Sequence, residues 1–174
     1  MQDDRDRLIA CIPRLRRYAR ALIGERTGAD DLVQDTMERG WKKLSSWQRG
    51  SDMRAWLFGI MHNLHVDQVR RPGIATEVLD DDTPLPVVPH TDSLEMRDLQ
   101  SALAALPAEQ REILLLVALE EMSYEEVAAT LGLPMGTVMS RLSRARQKLR
   151  AQMEGRTAMS VSASPSASPL KVVK

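Results

Sequence analysis

The stretch Ser123–Arg150, SYEEVAATLGLPMGTVMSRLSRARQKLR, points to one local architecture. Ser123 followed three residues later by Glu126 is a pattern in which hydroxyl and carboxylate each close on the other's backbone amide, so a helix starts there. Gly132 suits the left-handed residue that ends it. Pro134 fits the first turn of a second helix, because the amide proton it lacks would have had no helical partner. Two helices joined by a turn of three or four residues form a helix-turn-helix, and Ala128 is small where they would cross.

The second helix has two faces. At about 100° per residue, Val138, Leu142, Ala145 and Leu149 fall on one side, and Thr137, Ser140, Arg141, Arg144 and Lys148 gather on another. Met135–Arg150 holds five basic residues and no acidic one, in a chain whose 24 Lys and Arg balance 24 Asp and Glu. Such a chain has no general attraction for polyanions, so a nucleic-acid role rests on local sorting of charge. Hydroxyls and an arginine near the start of the helix suit base edges in a major groove, and Arg144, Arg146 and Lys148 suit phosphates. A charge run alone reads as a solvated basic face. The cap, the glycine turn, the proline start and the two-faced helix together favour binding.

The rest of the chain is organised in blocks. From Asp4 to Arg71 apolar residues recur at three and four, which predicts helices, and Pro72-Gly73 stops them. The following segment contains Pro84, Pro86 and Pro89, and Thr76–Met96 carries six acidic residues with no Lys or Arg. It reads as a flexible acidic linker over 73–92. A second helical block covers 93–153, and 154–174, ending SVSASPSASPLKVVK, reads as a disordered tail. The expected fold is all-α, with small helical domains at 1–72 and 93–153, the second containing the helix-turn-helix. Cys11, the single cysteine, excludes an internal disulfide and fits a reducing cytosol. With no long apolar span and no secretory signal, a soluble cytoplasmic protein is expected rather than a membrane protein.

Catalytic and ligand-binding signatures are missing. The sequence has no phosphate-cradling glycine loop, nucleophile elbow or convincing acid pair, so neither an enzyme nor a small-molecule substrate is expected. His62 and His65 are three apart on a predicted helix, but no third ligand is close beyond Asp67, and His90 lies in the linker. They read as ordinary polar helix residues, with no metal and no cofactor. Of the ten methionines, many stand at helical positions such as Met37, Met61 and Met122, and they read as core filler rather than ligands.

The motif YEEVAATLGLPMGTVMSRLSRAR resembles the promoter-reading helix-turn-helix of bacterial sigma factors of the extracytoplasmic-function (ECF) group. Arg17–Lys43, RYARALIGERTGADDLVQDTMERGWKK, is similar to the first two helices of that group's N-terminal domain. Asp52–Arg71, DMRAWLFGIMHNLHVDQVRR, resembles the segment that reads and opens the −10 element. The likeness spans roughly residues 5 to 150 and keeps both blocks in order.

The resemblance implies sigma region 2 at 1–72 and region 4 at 93–153. It implies that core RNA polymerase docks on Asp30, Asp31, Gln34, Asp35, Glu38 and Trp41. Acids early in a helix suit its dipole anyway, which accounts for Asp30 and Asp31 but not for Gln34, Asp35 and Glu38. The −10 DNA is implied to meet Trp47, Arg54, Asn63, Asp67, Arg70 and Arg71, with the loop Ser45–Met53 holding a base flipped out of the stack. The −35 DNA is implied to meet Thr137, Ser140, Arg141, Arg144, Arg146 and Lys148. In the family the linker threads the channel of nascent RNA, and Asp80, Asp81 and Asp82 suit sites built for phosphates. A further implied partner is an anti-sigma factor, often membrane-anchored, that holds the protein inactive until a signal.

Met139 stands where the family usually carries a basic residue, and Met135 replaces a more polar one. Two other readings remain: a stand-alone helix-turn-helix regulator on a palindromic operator, and a sigma mimic that only captures an anti-sigma factor. The mimic would lack the basic recognition helix.

Overall fold

A computed structural model describes residues 2–70 and 92–162. The helices are α1 (Gln2–Ala10), α2 (Ile12–Ile23), α3 (Arg26–Lys42), α4 (Met53–Arg70), α5 (Asp92–Ala104), α6 (Ala108–Ala118), α7 (Tyr124–Leu131) and α8 (Met135–Ser162). A single 3-10 turn, Leu44–Ser46, lies between α3 and α4. Among the described residues there is no strand.

Local chemistry sets the helix ends. Glu25 caps α3, its carboxylate accepting from the amides of Gly28 (2.6 Å) and Thr27. Those two bonds, Gly28's first, hold the Glu25 carboxyl below the usual carboxylate range. At the start of α7, Ser123 Oγ accepts from the Glu126 amide at 3.1 Å while the Ser123 amide donates to Glu126 Oε2 at 2.7 Å. Gly132 then takes φ 64°, the left-handed conformation that a Cβ disfavours. Pro134 stands just before α8 rather than inside it, and its carbonyl accepts from the amides of Thr137 and Val138.

The first module, α1–α4, closes around Leu8, Leu15, Tyr18, Leu22, Leu32, Leu57, Phe58 and Met61, each at most 2% exposed. Each such side chain contributes about 1.5–3 kcal/mol by leaving water. In the second module, α5–α8, Ile113, Leu116, Val127, Val138, Leu142 and Ala145 are buried. The two modules are separated in sequence by the linker, yet they share one continuous apolar cluster. Helix α2 packs on α5 and α6, and α4 packs on α7. Gly59 permits the second of these contacts, since a Cβ there would sit 3.3 Å from the Thr130 carbonyl.

Helix α8 continues to Ser162, nine residues past the end expected at Met153. The segment EGRTAM has no proline, and one interior glycine costs a helix only about 1 kcal/mol. Residues 71–91, which hold Arg71 and nearly all of the expected linker, and residues 163–174 of the expected tail lie outside the described residues.

Candidate nucleic-acid interface

Burial fixes the roll of α8. Val138, Leu142 and Ala145 are at most 2% exposed, and that anchoring leaves Ser140, Arg144 and Lys148 exposed on the far side, with Thr137 half-buried beside them. Arg141 shares this face but is not free. Its Nη2 lies 2.9 Å from Glu109 Oε2, at the start of α6, and its side chain is 28% exposed. Arg146 departs from the expected set: it is about 140° around the helix from Arg141, in a groove with Tyr124, Met139 and Arg150. The structure therefore gathers Thr137, Ser140, Arg141, Arg144 and Lys148, and separates Arg146 from them.

The −10 set divides further. Asn63, Asp67 and Arg70 are exposed along one side of α4, the side away from Leu57, Met61 and Leu64. Arg54 sits at the head of that helix and faces the other module, donating to the Glu120 carbonyl at 2.8 Å. Trp47 corrects an expectation. The ring is 6% exposed and belongs to the core cluster, so it offers no face for a flipped base. The 3-10 turn carries the indole inward, where the apolar area it removes from water outweighs an Nε1 left without a hydrogen bond.

On α3, Asp31, Gln34, Asp35 and Glu38 are exposed at i, i+3, i+4 and i+7, one stripe of the helix. Glu38 pairs with Lys42, which keeps its carboxyl below the usual range. Asp30 is half-buried between Arg20 and Arg26, at 3.8 and 3.9 Å. Trp41 closes the stripe, 47% exposed, with the Arg5 guanidinium 5.0 Å above its ring.

No sequence signal reports the polar groups that join the modules. His62 Nδ1 lies 2.8 Å from Glu112 Oε1 across the junction. His65, one turn on, is buried, which pulls its pKa down even though Glu112 pulls the other way. Between them and α8 lies a cleft of about 430 Å³ whose walls include His65, Val69, Arg70, Glu109, Leu133 and Arg141. The far end of α4 and the cationic face of α8 thus border the same cleft. Among the described residues no group of three or more His, Cys, Asp and Glu side chains is placed to hold a metal.

The described residues thus form two helical modules, one presenting a helix-turn-helix with a cationic face and the other an acidic helix stripe. Residues 8–62 match the family described as the Sigma2 domain of PhyR, and residues 96–149 match Sigma-70, region 4. The ECF RNA polymerase sigma factor EcfG of Rhodopseudomonas palustris (strain TIE-1) is 41% identical over 150 residues, covering 84% of this chain and 83% of that one. The sigma factor RpoE from Bartonella quintana, solved in complex with the anti-sigma factor NepR, superposes with a TM-score of 0.74 at 37% identity, over 88% of this chain and 98% of that one. CnrH, a sigma factor of Cupriavidus metallidurans solved with the cytosolic domain of CnrY, gives 0.67 at 30% identity, over 88% and 89%. The chain belongs to the family of ECF RNA polymerase sigma factors, and it acts in transcription initiation. No helix among the described residues is long and apolar enough to cross a membrane.

Proposed function

We propose that the chain binds core RNA polymerase through the acidic stripe of α3, with Asp31, Gln34, Asp35 and Glu38 at its centre and Asp30 and Trp41 at its ends. Residues 1–72 act as region 2, reading and melting the −10 element through Asn63, Asp67, Arg70 and Arg71. Residues 93–153 act as region 4, reading −35 through Thr137, Ser140, Arg141, Arg144 and Lys148. The observation that carries this reading is the sorting of charge, with exposed acids on α3 and exposed hydroxyls and guanidiniums on α8. A sigma mimic has no use for the cationic face, and a stand-alone regulator has none for the acidic stripe. Melting takes place in the cytoplasm without nucleotide hydrolysis. Each weak DNA contact raises the effective concentration of the other. An anti-sigma factor, anchored in the membrane, holds the chain inactive until a signal arrives; the partner itself is supported by the solved complexes of the relatives RpoE with the anti-sigma factor NepR and CnrH with the cytosolic domain of CnrY.

Run-off transcription with purified core polymerase on a library of random promoters tests this. Transcripts are expected only when the chain is added, and their absence at every salt concentration sinks the proposal. In the same assay Arg141→Ala is expected to cost about 2 kcal/mol of discrimination at one position of the −35 element. Asp35→Lys lowers polymerase affinity about tenfold through lost charge complementarity and leaves duplex binding by the C-terminal module unchanged. Equal polymerase affinity of the two chains removes α3 from the docking surface.

A further inference from the structure

The turn that follows α6 rests in a cradle of arginines. Arg17 Nη2 donates to the Leu119 carbonyl and to Glu120 Oε1, both at 3.0 Å. Arg54 Nη1 donates to the Glu120 carbonyl at 2.8 Å, and Arg14 Nη1 lies 3.8 Å from Glu120 Oε2. All three guanidiniums belong to the first module and every acceptor to the second. The Glu120 side chain is 0% exposed while those of Arg14 and Arg17 are each 54% exposed, so the carboxylate is buried at the junction of the modules, with its Oε2 left without a hydrogen bond. The next residue, Glu121, takes φ 55°, left-handed backbone that a side chain of this kind adopts at a cost of about 1–2 kcal/mol. Backbone strain of that size persists where the surroundings over-determine it.

What the cradle holds is chemically close to a phosphodiester. It surrounds one carboxylate and two carbonyls at the negative end of a helix with three guanidiniums, the donor group best matched to phosphate oxygens. Arg54 heads α4, the helix assigned to −10 DNA, so a strand running past the start of α4 meets Arg54 and then Arg17 and Arg14 on α2. Asp52 Oδ2 lies 3.3 Å from Arg54 Nη2 and shares that charge, which leaves Arg14 and Arg17 as the stronger part of the site.

We propose that Arg14, Arg17 and Arg54 form a binding site for the backbone phosphates of a DNA strand, and that in the closed arrangement Glu120 occupies it in the phosphate's place. The chain masks its own site until the modules part. This rests on the reading of the chain as a promoter-binding protein, and it extends that reading to α2, which neither set of DNA contacts included.

The test is fluorescence anisotropy of the full chain with a labelled single-stranded oligonucleotide of mixed sequence, repeated over a range of salt. Glu120→Gln is nearly isosteric. It is expected to bind roughly tenfold tighter than the unmodified chain, because apparent affinity scales with the fraction of molecules whose site is free. Adding Arg14→Ala and Arg17→Ala abolishes the gain and lowers the slope of log affinity against log salt by about 1.4, at ~0.7 for each single-strand phosphate contact. Arg14→Lys with Arg17→Lys in the same background keeps the slope, because charge rather than packing is being read. An unchanged slope in the alanine variant, or an equal loss in the lysine variant, overturns the proposal. So does a Glu120→Gln chain that gains affinity for polyglutamate and none for DNA. Run-off transcription by the unmodified chain is scored separately: success there with an unmoved slope removes the cradle alone, and failure there removes the promoter reading.

Discussion

Arg111→Ala is expected to destabilise the protein by about 3 kcal/mol and to loosen the two modules from each other. This one guanidinium donates to four carbonyls, of which Leu103 O also accepts from the Leu106 amide at 3.1 Å. Its Nε donates to Leu103 O at 2.7 Å, its Nη2 to Ala104 O at 2.8 Å and Leu106 O at 2.9 Å, and its Nη1 to Leu22 O at 2.7 Å. Leu103 and Ala104 end α5, and Leu22 is in the last turn of α2. Carbonyls in those positions have no partner within their own helix. Arg111 therefore caps two helices, one in each module, with a charge that also meets the negative ends of their dipoles. Alanine removes a donor from all four acceptors, and the loss is less than the sum of four separate bonds because Leu103 O keeps the Leu106 amide and water reaches part of the site. For a module of this size the thermal midpoint falls by about 15 °C. Lysine does not rescue it, since an ammonium on a single stem cannot span four acceptors that a planar fork reaches. Circular dichroism measures the midpoint, and small-angle scattering should show a larger radius of gyration as the Leu22 bond is lost. An unshifted midpoint means that the carbonyls find other partners at no cost.

The helix-turn-helix was legible because its signals are local. Ser123, Glu126, Gly132 and Pro134 act on backbone groups within a few residues of themselves, so their chemistry can be read without knowing what surrounds them. The buried side of α8 followed from periodicity in the same way. What covers a face is a different matter. The run Ile113–Val117 is apolar on every side of α6, and a helix with no polar stripe must be enclosed by more than one neighbour. That run was the available sign that α2 packs there. Glu112 and Glu120 flank it, and their partners His62 and Arg17 lie 50 and 103 residues away, a separation that no periodicity reports. Trp47 was misread for a related reason: a tryptophan in a short connecting turn can face in or out with the same sequence around it.

Phe58→Ala should produce the other large loss, about 4 kcal/mol, and should confine it to the first module. Phe58 is the chain's single phenylalanine, 2% exposed, and its ring meets that of Tyr18 edge-on with centroids 4.9 Å apart and planes at 64°. Such a pair adds about 1 kcal/mol to the area that the two rings bury. Truncation leaves a cavity between α2 and α4 that neighbours fixed on rigid helices cannot close. Leucine fills most of it, so Phe58→Leu costs about 1.5 kcal/mol. The functional consequence follows from where α4 directs its residues. Phe58, Met61 and Leu64 hold it to the module, and Asn63, Asp67 and Arg70 are exposed on its other side, so a module that unfolds loses its −10 contacts together with the acidic stripe of α3. The helix-turn-helix keeps its own interior of Val127, Val138, Leu142 and Ala145. Denaturant unfolding of Phe58→Ala is expected to show an early transition, with run-off transcription abolished and duplex binding at −35 retained. One transition at the midpoint of the unmodified chain would mean that Phe58 is not what holds α2 to α4, and simultaneous loss of −35 binding would mean that the two modules fold as a single unit through their shared apolar cluster.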